Sequence, residues 1–183
     1  MNRIEALKHV KANIKNKNLI KHMLAAEAVM RGLARKFKQD EEKWGLAGLL
    51  HDIDYEQTAN NPEKHSLVGA KMLEELGYDK DIIYAVKVHN DIHGLERISL
   101  MDKALYSSDP LTGLIVAAAL ILPEKKLSKI DTKFILNRFK EKSFAKGANR
   151  EQIAACKELG LELEEFIQIG LSSMQQISEE LGL

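Results

Sequence analysis

The sequence has little that would cross-link or break it: one cysteine and three prolines in 183 residues. A lone Cys156 closes no disulfide within the chain and builds no thiolate metal cage, so a reducing, cytoplasmic setting is expected. An excess of charge of one sign is also missing. Lys plus Arg and Asp plus Glu number 27 each, for a net charge of zero, so nothing overall points to nucleic acid or an anionic membrane as partner. Long apolar runs are absent too. The longest, Leu111 to Leu122, is bracketed by Pro110 and Pro123 and falls short of the roughly 20 residues of a membrane span. The first twenty residues carry Arg3, Lys8, Lys11, Lys15 and Lys17 without an apolar stretch, so no signal peptide is expected. Sustained period-two alternation is missing, so no strand is expected.

What is present is helical periodicity. Leu19, Met23, Ala26, Met30 and Leu33 form one stripe, and Trp44, Ala47, Leu50 and Ile53 a second. Leu67, Ala70, Leu73 and Leu76 form a third, and a long one runs from Leu163 through Phe166, Leu171 and Met174 to Leu181. The expected fold is all-α, with about eight helices. Pro62 suits the first turn of a helix, Gly77 ends it, Asp79 caps the next, and Asn90 to Gly94 is a break. Asp109 before Pro110 reads either as the N-cap of a helix or as a ligand at its boundary. The polar connector Pro123–Leu127 divides residues 1–122, with a core at 18–122, from a C-terminal helical extension, 123–183, expected to pack on the same domain. The 163–181 stripe serves either that core or the face of a homodimer. Lys125 to Lys129 reads as a solvated connector.

Histidine carries the chemistry. His51-Asp52 follows the apolar segment Trp44–Leu50, and a buried carboxylate there needs a partner that a divalent cation would supply. One carboxylate can bridge two such ions. His22, His65 and His89 sit in separate segments, and Asp109 lies far along the chain. Facing helices of a bundle bring such distant residues together. His93, four residues after His89, would share its face only if the helix continued through Asp91.

The ordered set His22, His51-Asp52, His65, His89, Asp109 resembles the HD-domain superfamily of metal-dependent phosphohydrolases across about residues 18–122. The two intervening histidines match its dinuclear branch. The segment His65-Ser-Leu-Val-Gly-Ala-Lys-Met-Leu73 is similar to that of bacterial hydrolases that split diadenosine tetraphosphate symmetrically. The resemblance implies an HD-domain-like helical bundle. It implies one ion on His22, His51, Asp52 and Asp109, and a second on His65 and His89, with Asp52 bridging. This sulfur-free donor set suits iron, manganese, zinc, nickel, cobalt or magnesium. Tyr55 stands where many members carry Lys after His-Asp-Ile-Gly, and the Gly-Tyr-Pro signature is absent. Both departures point away from the cyclic-dinucleotide enzymes of the branch.

The expected function is hydrolysis of a phosphate ester or phosphoanhydride of a small phosphorylated substrate, nucleotide by resemblance. Asp52 would be central to catalysis, Lys103 or Arg97 would hold a non-bridging oxygen, and His93 would protonate the leaving group. Lys71 is a weaker cationic candidate. Asp54 and Glu56 read as solvated acids, or one of them orients water or binds a substrate sugar. Two alternatives remain open: a diiron oxygenase of the same fold, and a non-enzymatic, metal-containing nucleotide sensor.

Overall fold

Helices account for every regular element of the computed structural model, which describes residues 1–183. They are α1 (Arg3–Asn13), α2 (Lys17–Phe37), α3 (Glu41–Leu50), α4 (Tyr55–Thr58), α5 (Leu67–Glu75), α6 (Lys80–Val88), α7 (Leu100–Leu120), α8 (Thr132–Lys140), α9 (Arg150–Ala154), α10 (Leu163–Gln175) and α11 (Ser178–Leu181). Eight of these have nine residues or more, which matches the expected all-α bundle. No helix is long and apolar enough to cross a membrane.

Two helices organise the rest. Every residue of α3 from Trp44 to Leu50 is buried, as expected of a helix that is apolar all round. It runs antiparallel to α2 at very short range. A Cβ on Gly48 would lie 2.6 Å from the Ala26 carbonyl oxygen, and one on Gly45 would meet the Arg31 side chain. From the Gly48–Ala26 contact, one turn back along α2 reaches His22, and one turn on along α3 reaches His51-Asp52. The close approach therefore sets the register that brings those residues together.

The second organiser is α7. Ser99 caps it and exchanges a capping box with Asp102, so it starts well before Asp109. Asp109 is therefore not an N-cap but sits mid-helix, ahead of an interior Pro110. That proline has no N–H for the Tyr106 carbonyl, a defect that costs about 3 kcal/mol. Burial of fourteen α7 residues offsets it. A further departure is at His65. The helix begins at Leu67, not at Pro62, so His65 lies in the preceding turn. Gly77 and Asp79 behave as expected: Gly77 takes φ +75° after α5, and Asp79 caps α6.

Residues 123–183 share one buried apolar cluster with the rest. Ile135, Ile153, Phe166, Leu171 and Met174 belong to the same cluster as Leu33, Leu50 and Leu111. Helix α10 packs on α2, and α8 and α9 pack on α7. The stripe read as either core or dimer face is thus core: Phe166, Ile167, Leu171, Met174 and Leu181 are buried.

Candidate metal centre

Six side chains from four helices or helix ends and one turn converge. His22 comes from α2, His51-Asp52 from the end of α3, His65 from the turn before α5, His89 from the end of α6, and Asp109 from α7. His22 Nε2 lies 3.1 Å from His51 Nε2 and 3.0 Å from Asp109 Oδ1. Asp52 divides the group. Its Oδ2 faces His51 Nε2 at 3.4 Å and His22 Nε2 at 3.6 Å. Its Oδ1 faces His65 Nε2 at 3.3 Å and His89 Nε2 at 3.6 Å.

All four imidazoles present the same atom for the same reason. Each Nδ1 is engaged on the outer side. His51 Nδ1 donates to the Gly48 carbonyl at 2.8 Å and His89 Nδ1 to the Val86 carbonyl at 2.6 Å. His65 Nδ1 donates to Asp54 Oδ1 at 3.0 Å. Thr112 Oγ1 donates to the Asp109 carbonyl and so accepts from His22 Nδ1, 3.0 Å away. With Nδ1 carrying the proton, each Nε2 lone pair points inward.

These donors fit divalent cations. Two lone pairs 3.1 Å apart repel unless a positive charge sits between them. Metal–ligand bonds of about 2.1 Å put neighbouring donors about 3.0–3.4 Å apart, and the donor pairs here lie 3.0–3.7 Å apart. Donor atoms of His22, His51 and Asp109 form one close group, and those of His51, Asp52 and His89 another. The electrostatics agree. Burial works against a charged His51, yet the Asp52 and Asp109 carboxylates outweigh it and push the imidazole up to about 9. Burial likewise opposes a charged His65, but Asp52 and Asp54 push it up to about 10. Asp52 and Asp109 are held well below the usual carboxylate range against the effect of burial, Asp52 chiefly by His51 and Asp109 chiefly by His22. The carboxylates of Asp52, Asp54 and Asp109 thus favour positive charge at His51 and His65.

The outward-facing supports are built with equal care. Asp54 is fully buried. Its Oδ1 takes His65 Nδ1, and its Oδ2 accepts the backbone N–H groups of Ser66 and Gly69, both at 2.9 Å. It is neither a solvated acid nor a substrate ligand, because both its oxygens are spent on holding the His65 turn. Ser66 takes φ +71°, a strained conformation for a residue with a side chain. It is held by Asp54 and by its own hydroxyl on the Lys87 carbonyl. The His65 carbonyl accepts from Asn90 Nδ2 and from His93 Nε2.

A cavity of about 430 Å³ opens over the cluster. Beyond five of the six converging residues, it is lined by Leu19, Tyr55, Asn90 and Gln152. His51 is fully buried beneath it. Lys71, Lys103, Arg97 and His93 are not brought to this cavity, and Lys71 lines a different one beside Glu74 and Lys87. Lys103 is six residues from Asp109 on one continuous helix, and at about 100° per residue their side chains diverge by about 120°. Arg97 stacks on the Tyr106 ring, 3.8 Å from its centroid, and pairs with Glu158 at 2.9 Å. His93 is outside the lining and its Nε2–H braces the His65 carbonyl. Sequence reasoning missed Thr112 and Gln152. Thr112 follows Asp109 by three residues and would have been found had α7 been carried through Pro110. Nothing in the sequence around Gln152 marks it.

A family model described as HD domain matches residues 19–132. The chain is 27% identical over 140 residues to a protein named ribonuclease Y from Oleidesulfovibrio alaskensis, covering 74% of this chain and 26% of that one. It is 33% identical over 76 residues to a ribonuclease Y of Mycoplasma genitalium, covering 42% of this chain and 16% of the other. An uncharacterized protein of Methanocaldococcus jannaschii is 34% identical over 82 residues, covering 42% of this chain and 47% of that one. The chain spans about a quarter of the length of the first relative and under half of the others. No solved structure matches.

Proposed function

The chain belongs to the HD domain family, and on that premise we propose that it hydrolyses a phosphate ester or phosphoanhydride of a nucleotide at a pair of divalent cations. The observation that carries this is Asp52, whose two oxygens face two separate pairs of inward-pointing imidazoles. His22, His51, Asp52 and Asp109 would hold one ion, and His65 and His89 with Asp52 the other. Ions held this way supply Lewis acidity, which lowers the pKa of a water toward neutrality and neutralises charge on the phosphoryl oxygens.

The chain's own part is positioning. The Nδ1 anchors fix each ring so that little reorganisation is needed as charge develops. Asp109, with 32% of its side chain exposed, stands at the mouth, while His51 closes the floor. The Asn90 and Gln152 amides face the cavity and can orient the leaving group or a sugar hydroxyl by hydrogen bonds. No lysine or arginine lines this cavity, so charge compensation for a phosphate falls to the cations.

The names of two relatives favour a second reading, an RNA phosphodiester, which the same centre would serve. One experiment addresses both. Protein purified without chelator is assayed for metal, then for turnover of nucleotides, dinucleoside polyphosphates and short RNA with manganese, iron, cobalt, nickel or magnesium. About two ions per chain and metal-dependent release are expected, and Asp52→Ala should lose metal and at least about 10³-fold in rate together. Full turnover by a metal-free Asp52→Ala chain would remove the proposal.

A further inference from the structure

A second cavity, of about 410 Å³, lies on the other side of His22. Its walls come from the first turns of α2, the second half of α7 and the Leu181–Leu183 segment. His22 lines both cavities, so the two are neighbours across that side chain. On α2, Leu19 faces the centre while Asn18 and Lys21 face the second cavity. On α7, the run from Asp109 through Thr112 and Gly113 to Val116 and Leu120 leads from one to the other at helical spacing.

The lining has two characters. Val116, Leu120 and Leu181 are apolar, and Asn18 and Lys21 are polar. Lys21 is the one lysine or arginine in the linings of the two cavities. Gly113 leaves open space, since a Cβ there would meet nothing within 4 Å. A nucleobase has this combination of apolar faces and polar edges, and the volume falls within the range of small-molecule sites, about 300–1,000 Å³.

We propose that this cavity is the nucleoside subsite of the same reaction. The base lies against Val116, Leu120 and Leu181 over Gly113, and Lys21 and Asn18 hold polar groups at its edge or on the adjoining phosphate. The proposal rests on the hydrolase reading and narrows it: the substrate carries a nucleoside directly on the scissile phosphate, and discrimination lies along α7 rather than at the ions.

The test uses two esters with the same leaving group, thymidine 5′-(p-nitrophenyl phosphate) and bis(p-nitrophenyl) phosphate, on the metal-loaded full chain. The thymidine ester is expected to have at least tenfold higher kcat/KM, carried by KM. Gly113→Leu, which fills the cavity without a clash at its Cβ, should erase that ratio, and Lys21→Met should reduce it several-fold. An equal preference in the parent chain, or a ratio untouched by both substitutions, overturns the subsite. Titration of adenosine 5′-monophosphate and inorganic phosphate into the chain as purified separates this from the hydrolase reading. The nucleotide should bind at least tenfold tighter than phosphate, and Gly113→Leu should abolish the difference. Turnover of both esters without that difference sinks the subsite alone. Nucleotide binding of the expected kind without turnover of either ester sinks the hydrolase and keeps the subsite as a binding site.

Discussion

At the scale of single residues, the centre depends on what stands behind the imidazoles as much as on the imidazoles themselves. Thr112 and Asp54 separate the two contributions. Thr112→Val keeps the shape but removes the acceptor of His22 Nδ1, so the ring loses its fixed tautomer. Affinity for the ion on His22 should fall about tenfold, with only about 1 kcal/mol lost in stability. Asp54→Ala removes the partner of His65 Nδ1 and leaves the Ser66 and Gly69 amides unpaired. It should cost about 2–5 kcal/mol in denaturant unfolding and deplete the ion on His65 and His89 first. Metal analysis against chelator concentration checks both, and Thr112→Val binding metal as the parent does would remove this account of His22. The six inward-facing residues were legible because their order resembles the HD-domain pattern; His22 or His65 taken alone reads as an ordinary half-buried histidine. Their supports were not, because two are backbone carbonyls, of Gly48 and Val86, which any residue could provide. Asp54 was misread because its chemical type fits a solvated acid equally well, and only the 65–69 turn folding over it tells the two apart.

At the scale of elements, the distance between α2 and α3 sets the distance between His22 and His51. Gly48 permits that distance. In Gly48→Ala, a Cβ 2.6 Å from a backbone oxygen cannot be relieved by a side-chain rotation, so the helices must part. We expect a loss of about 3 kcal/mol and, in the fraction still folded, weakened binding of the ion shared by His22 and His51. Gly147→Ala, where a Cβ meets nothing within 4 Å, is the control and should stay within about 0.5 kcal/mol. Equal unfolding midpoints for the two variants would contradict this role for Gly48. Helix stripes and caps were readable from residue spacing, as at Asp79 and Gly77. The exceptions arose where long-range packing overrides local preference: α7 runs through Pro110 because its burial outweighs one missing hydrogen bond, and α5 starts late because Asp54 captures the Ser66 amide.

At the scale of the whole molecule, one apolar cluster runs from Ala6 to Leu181, and the ionisable groups His51, Asp52 and His89 are buried in the same fold. That arrangement fixes how stability should follow pH. His51 and His65 stand at about 9 and about 10 in the folded chain, against about 6.5 when unfolded. Raised values mean that the folded state binds protons more tightly. The stabilisation is therefore complete below about pH 6.5 and is lost as pH climbs through 9 and 10. Asp52 and Asp109 have the opposite sign. Their lowered values stabilise the fold above about pH 4 and are lost in acid. Divalent ions would replace the protons on the imidazoles, so uptake should release protons and tighten as pH rises. Thermal unfolding with EDTA should therefore show Tm falling steadily from pH 6.5 to 10, while manganese-loaded protein holds its Tm over the same interval and the gap between the curves widens. Parallel curves would mean that these imidazoles are not the groups the cations engage. Proton release on adding manganese at pH 7.5, measured in weakly buffered solution, reads the same exchange directly, and Asp52→Ala should abolish it.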